Sequence, residues 1–183
     1  MNSFTSSFRS LLDFLFNSSV CDSRSKLIFV GLIFLMPMMV GCQEDEDPLE
    51  PGSEVSLNRI RENPDFAALP LIGTQWKLIG FADQKTGNIR LAMPVSSNSY
   101  ALTFERDGTL TGRTSTNSAF GRYALTNNMV SISNFSNMTE INELYDGLLY
   151  IETMNKVNSF NFSSKGLSLN YDDGKFLLFK PLE

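Results

Sequence analysis
From residue 71 to the end of the chain, apolar positions alternate with polar ones in short runs broken by turn residues. "QWKLIGFAD" opens this region with Trp76, Leu78 and a continuation to Phe81, and "KTGN" closes it as a turn. "SYALTFE" sets Tyr100, Leu102 and Phe104 on one face and Ala101, Thr103 and Glu105 on the other, the period of two expected of a half-buried strand. Asp107-Gly108 marks a tight hairpin, after which "TLTGR" pairs back. "FGRYAL" and "MVSISNF" flank an Asn127-Asn128 turn, with Tyr123 and Leu125 on one face and Val130 and Ile132 inward. "SFNFSS", "GLSLNY" and "KFLLFK" complete the set, joined at Lys165-Gly166 and at Asp172-Asp173-Gly174.

One segment departs from this period. "INELYDGLLYIETMNKV" spaces Leu144, Leu148, Ile151 and Asn155 as a helix would, which predicts a helix from Asn142 to Lys156. Gly147 costs that helix about 1 kcal/mol relative to Ala, so an irregular first turn is expected. The fold class is therefore mainly β (α+β): a small antiparallel sheet, curled or closed as a barrel, with one helix packed across an opening.

The first 70 residues read differently. Leu27 to Val40, "LIFVGLIFLMPMMV", carries no charge and follows Arg24 and Lys26. Its fourteen residues reach about 21 Å as a helix, short of a hydrocarbon core of about 30 Å. Basic flank, short apolar run and small residues before a break describe a secretory signal. "MVGC", Met39 to Cys42, resembles the bacterial lipobox, with Met39 where Leu is preferred. That resemblance makes residues 1–41 a signal peptide and Cys42 the lipid-modified N-terminus of the mature chain. Several acyl chains on one residue give lasting membrane attachment where one gives only marginal binding.

Charge sharpens the division. The formal net charge is −5, yet from Leu71 onward ten Lys/Arg balance ten Asp/Glu. Between Gln43 and Pro70 eight acidic residues face only Arg59 and Arg61. Residues 42–70 thus read as a lipidated cysteine followed by an acidic, flexible tether, poor in the bulky apolar residues that would offset its ordering entropy. A short helix within "LNRIRENPDFAAL" is possible on this pattern. The run Glu44, Asp45, Glu46 and Asp47 directly behind Cys42 is similar to the surface-export signal of Bacteroidetes lipoproteins. It implies the outer leaflet of a bacterial outer membrane; a plain spacer and the periplasmic face are the alternative.

The chemistry of the chain is narrow. It holds no histidine and two cysteines, Cys21 and Cys42. Ser-His-Asp triads, Cys-His pairs and Cys/His zinc sites are excluded. The carboxylates Asp83, Glu105, Glu140, Glu143 and Glu152 are scattered, with no pair placed for acid–base work. No enzyme, metal or cofactor is expected, and a neutral body without a basic patch argues against nucleic acid. Asp172-Asp173-Gly174 is explained by its turn and lacks the spaced oxygens of a calcium site. Trp76, between Thr74 and Leu78, is expected in the core rather than as a stacking platform. "RTSTNS" with Arg122 nearby is a polar loop; Arg113, Thr116, Asn117 and Arg122 are the candidate binding residues. The blander alternative is an exposed loop with Asn117 in a left-handed or self-bonded turn.

The segments "GTQWKLIGF", "YALTFERDGTLTGR", "TNSAFGRY" and "LSLNYDDGKFLLF", in this order, resemble a META domain of the HslJ type over nearly all of residues 71–183. Gly73, Thr74 and Trp76 match its opening strand, and Leu102, Phe104, Asp107 and Gly108 its next strand and turn. Gly112, Asn117, Gly121 and Tyr123 match its hallmark; Thr116 stands where the family carries cysteine, which removes a redox or disulfide role. The resemblance implies an envelope protein without established catalysis. Two functions follow as expectations. One is a surface lipoprotein whose domain binds an envelope protein or glycan. The other is a calycin-like barrel holding an apolar molecule between Phe104, Tyr123, Phe160 and Phe162. A filled interior would favour the first.

Overall fold
The long strand Gln75–Asp83 organises the molecule, because each half of its length serves a different neighbour. In the computed structural model, which describes residues 48–138 and 141–182, the strands are β1 (Glu54–Ser56), β2 (Gln75–Asp83), β3 (Asn88–Leu91), β4 (Ala101–Phe104) and β5 (Thr109–Arg113). They continue with β6 (Ser118–Thr126), β7 (Met129–Asn137), helix α1 (Gly147–Met154), β8 (Ser159–Ser163), β9 (Gly166–Asp172) and β10 (Lys175–Pro181). Gln75–Lys77 of β2 pair with β4, whereas Gly80–Asp83 pair with β3. On its other edge β2 pairs with β10 along nearly its whole length. The sheet order β1-β3-β2-β10-β9-β8-β7-β6-β5-β4, with β2 also joined to β4, closes eight strands into a ring and leaves β3 and β1 as an outer flap.

The ring has one weak seam. β7 meets β8 through a single pair, Met129↔Ser159, and α1 connects the two strands across the gap. The interior is filled by Trp76, Leu78, Tyr100, Phe104, Phe135, Tyr150, Met154 and Phe179 among others. Tyr150 of α1 stacks edge-on against Tyr100 and Phe135, with centroids 5.4 and 5.5 Å apart. The expected curled β architecture with a packed helix is what the chain forms, and Trp76 lies in its core, fully buried. Its indole N–H donates to the Leu71 carbonyl at 3.3 Å.

Three expectations are corrected. Residues 54–70 are not a tether. Val55, Leu57 and Ile60 pack on Ile79, Ile89, Phe176 and Leu178, forming a second, smaller core on the outside of β2 and β10. Ile60 is buried, β1 pairs with β3, and two 3-10 turns follow at Leu57–Arg59 and Pro64–Ala68. Even the acids of this stretch are used: Glu54 accepts from the Asn88 amide at 2.9 Å, and Glu62 binds Ser164 and Lys165.

The helix starts five residues later than its apolar spacing suggests, because Asn142–Asp146 are held by the neighbouring loop, with Tyr145 at φ 48°. It also buries the other face: Gly147, Tyr150, Thr153 and Met154 point inward, while Leu148 is 63% exposed. Finally, Leu125 is exposed rather than sharing an inward face with Tyr123. Strand β3 has no counterpart in the sequence reading. Cys42 and the run Glu44, Asp45, Glu46 and Asp47 lie outside the described residues.

Candidate functional site
The polar loop between β5 and β6 is not an open surface. Thr114, Ser115 and Asn117 are buried to within 2% of full burial. What they surround is Glu143, from the segment that precedes α1. Thr114 Oγ1 donates to its Oε1 at 2.6 Å, Ser115 Oγ to its Oε2 at 2.5 Å, and Asn117 Nδ2 to Oε1 at 2.5 Å. Thr116 Oγ1 reaches Oε2 at 3.4 Å. The same loop holds the backbone on both sides of Glu143. Asn117 Nδ2 donates to the Ile141 carbonyl at 2.7 Å, Thr116 Oγ1 to the Asn142 carbonyl at 3.2 Å, and the Leu144 N–H donates to Ser115 Oγ at 3.0 Å. From below, Ser99 Oγ donates to the Ser115 carbonyl at 2.9 Å.

The electrostatics follow from this geometry. Desolvation pushes the Glu143 carboxyl up, but the hydrogen bonds from Ser115, Thr114 and Asn117 outweigh it and hold the group below its ordinary value. A carboxylate with both oxygens saturated by hydroxyl and amide donors is poorly placed to take a proton from a substrate. Asp146, three residues on, is equally occupied: it pairs with Arg90 at 2.9 Å and accepts from the Met93 N–H at 2.9 Å. The two carboxylates therefore fasten the chain before α1 to the sheet.

Of the candidate binding residues, Thr116 and Asn117 belong to this lock. Arg113 stays exposed at its edge, its guanidinium donating to the Thr116 carbonyl at 3.3 Å. Arg122 does not join them. It lies in mid-β6 opposite Thr109 and Ser133, exposed on the outer face, where it helps lower the carboxyl of Asp107 after the dominant bonds from Thr109. The expected exposed loop is corrected accordingly, and Asn117 is not in the left-handed region. Glu143, Ser115 and Thr114 are the residues whose role a linear reading misses. Twenty-nine positions separate Thr114 from Glu143, and only the fold brings them together.

The aromatic residues expected to line a void touch one another instead. Phe104 packs edge-on against Tyr123 at 5.0 Å and Phe162 edge-on against Phe160 at 5.9 Å, while Phe162 meets Trp76 at a tilt, 5.8 Å away. Tyr123 Oη donates to the Glu105 carbonyl at 2.5 Å, fixing its ring. Among the described residues no cluster of His, Cys, Asp or Glu is placed to hold a metal ion, and no helix is long and apolar enough to cross a membrane.

A strand ring plugged by one helix, with a buried polar loop clamping the helix's lead-in, defines a small packed β-domain. The model of the META domain family matches residues 69–183, and the chain belongs to this family. The hallmark positions now have physical roles. Asn117 is a double donor in the Glu143 lock, Tyr123 anchors the β4–β5 hairpin, and Gly112 leaves room for the neighbouring strand, since a Cβ there would meet the Ala101 carbonyl oxygen at 2.2 Å. An NMR structure of a protein from Burkholderia xenovorans is similar at 20% identity and a TM-score of 0.49, over 74% of this chain and 98% of that one. A crystal structure of a DUF4847 family protein from Bacteroides vulgatus ATCC 8482 is similar at 17% identity and a TM-score of 0.47, over 60% and 92%. No curated protein matches the chain.

Proposed function
We propose that the chain is a lipoprotein of the Bacteroidetes type, anchored through Cys42 in the outer membrane and displayed on the cell surface, whose META domain is a non-catalytic module that binds another envelope protein. The observation that supports this most is the apolar surface left by the burial of the opposite face of α1. Met138, Ile141, Leu144, Tyr145, Leu148 and Leu149 are all exposed, within twelve consecutive positions. A run of large apolar side chains of this kind is a mark of a contact surface. No Lys or Arg stands between Arg122 and Lys156, while Glu143, Asp146 and Glu152 lie in the same stretch. A stretch without cations gives anionic head groups nothing to bind, which favours a protein partner over the bilayer. The neighbouring polar loop spends its donors on Glu143, so it has little to offer sugar hydroxyls. The reading of a barrel carrying an apolar molecule finds no support in the aromatic contacts.

Two measurements test the proposal. In protease shaving of intact cells, the wild-type chain should be cleaved and a variant with Glu44, Asp45, Glu46 and Asp47 changed to Ala should be protected; equal cleavage rejects the export signal. A photo-crosslinking residue at Leu148 should give one discrete adduct on cells, lost in Leu144→Asp, while the same residue at Arg106 gives none. Adducts from both positions, or only an adduct of two copies of this chain, reject the partner.

A further inference from the structure
An open cleft of about 530 Å³ lies where the segment after the second small core meets the end of β10. Its lining includes Arg61, Asn63, Pro64, Phe66, Lys180 and Pro181. Neither cation has a carboxylate within ion-pair distance among the described residues, whose ion pairs are Lys85–Asp173, Arg90–Asp146 and Lys165–Glu62. Glu62 also lines the cleft, but its carboxylate is committed elsewhere: its Oε2 accepts from Ser164 Oγ at 2.6 Å and its Oε1 pairs with Lys165. The cross-strand neighbour of Lys180 is Lys77, another cation. Lys180 is half-buried, and desolvation, aided by the Arg61 charge, lowers its affinity for its proton. Two like charges facing one concavity repel each other, and an anion between them relieves that repulsion.

The rest of the lining narrows the ligand. Asn63 lines the cleft, and its Oδ1 already accepts from the Asp65 N–H at 3.0 Å, so what its side chain has left to offer a ligand is the Nδ2 donor. Phe66 is half-buried and lines the cleft together with Pro64 and Pro181. A guanidinium and an ammonium select an oxyanion. An amide donor suits a hydroxyl, and an aromatic ring with proline walls suits a flat apolar ring face. We propose that this cleft binds a sugar bearing an acidic group, carboxylate or phosphate, with the anion on Arg61 and Lys180, a hydroxyl on Asn63 and the ring against Phe66. The site goes beyond the partner surface around α1, uses none of its residues, and stands whether or not that surface has a partner.

Calorimetric titration of the full chain in neutral detergent at low salt tests this with glucuronate, glucose 6-phosphate, glucose and inorganic phosphate. Saturable binding of at least one acidic sugar is expected, none of glucose, and weakening as salt is raised. The preferred acidic sugar identifies the anion as carboxylate or phosphate. Arg61→Gln and Lys180→Gln should each weaken binding about tenfold or more, since each removes a charge-assisted contact. Phe66→Ala should weaken the sugar without changing any binding of phosphate alone. Arg61 is exposed and forms no ion pair among the described residues, so Arg61→Gln should leave the fold intact, and a thermal melt verifies it. Failure of both acidic sugars to bind overturns the proposal, as does affinity unchanged in both charge variants. Equal affinity for inorganic phosphate and glucose 6-phosphate overturns the sugar assignment.

Discussion

Asn155 takes the place of a missing strand at Phe135. Its Oδ1 accepts from the Phe135 N–H at 3.0 Å and its Nδ2 donates to the Phe135 carbonyl at 2.8 Å. This occurs where β8 has left β7 and where β7 bulges, with Asn134 at φ 54°. A side-chain amide offers one donor and one acceptor in the arrangement that a neighbouring strand would present. It lets a ring with an open seam end without orphaned backbone groups beside a fully packed core.

Asn155→Ala should therefore destabilise the domain by about 2–4 kcal/mol, the cost of leaving two backbone groups short of partners. Asn155→Asp retains the acceptor but sets a carboxylate against the Phe135 carbonyl. Its loss should be as large at neutral pH and should shrink on acidification, when the protonated acid can donate. Urea unfolding at pH 7 and pH 4 distinguishes this from simple truncation; an Asp variant as stable as the wild type at pH 7 rejects the role.

The pH dependence of stability should carry the signature of Glu143. Its carboxyl is lowered in the folded chain from an ordinary value of 4.5, despite the burial that opposes this, by the donors of Ser115, Thr114 and Asn117. A group depressed on folding contributes stability that is fully present above its unfolded value and is lost as pH falls through its folded value. Unfolding free energy should be level from pH 7 to about 5 and decline below that. Glu62 and Asp107 are also lowered, by Lys165 and Thr109 respectively, so the decline has several contributors. Glu143→Gln should lower stability at pH 7 by about 1–3 kcal/mol and make the acid limb shallower. Parallel curves for the two proteins would exclude a role for this carboxylate.

Much of the ring was legible because its strands bury one face. Trp76-Leu78 on β2, Leu102-Phe104 on β4, Val130-Ile132 on β7 and Leu167-Leu169 on β9 are buried alternating positions, and Asp107-Gly108 and Asp172-Asp173-Gly174 turn where their conformations require. The small outer core is not legible in the sequence because Val55, Leu57 and Ile60 are thinly spaced among acids and polar residues, a pattern whose composition is that of a solvated segment. β3 contributes only four residues, of which Ile89 and Leu91 are the buried pair. The face and start of α1 depend on contacts remote in sequence. Leu144 and Leu148 have the spacing of a buried stripe, yet the Glu143 lock rotates them outward and puts Tyr150 into the ring. A polar loop cannot be told from a buried polar clamp until its distant carboxylate is placed.

Tyr150 should be a position where removing a polar atom does no harm. The residue is fully buried and its hydroxyl has no hydrogen-bond partner among the described residues. Desolvation, with a smaller effect from Tyr100, pushes its ionisation far upward, so it stays a neutral phenol. An unpaired buried hydroxyl costs about 1–3 kcal/mol. Tyr150→Phe keeps the edge-on contacts with Tyr100 and Phe135 and should leave stability unchanged or raise it by about 1 kcal/mol. A loss above that size in a thermal or urea melt would mean that the hydroxyl is satisfied in solution.

Gly147 reverses the usual rule for glycine in a helix. It opens α1, where propensity alone gives Gly→Ala a gain of about 1 kcal/mol. Here an added Cβ would lie 2.2 Å from Glu143 Oε2, 2.4 Å from Ser115 Oγ and 2.8 Å from Glu143 Cβ. The first two atoms end flexible side chains, but they are bonded to each other and to the loop, so neither can retreat without breaking the lock. Gly147→Ala should cost about 1–3 kcal/mol, the range of overpacking in a well-filled site. The discriminating measurement is a double-mutant cycle with Glu143→Ala. With the carboxylate gone, Ser115 Oγ is released to turn away and only the contact with the residue-143 Cβ at 2.8 Å remains, so the penalty of Gly147→Ala should shrink markedly in that background. A penalty of the same size in both backgrounds would show that the glycine is required by the backbone and not by Glu143.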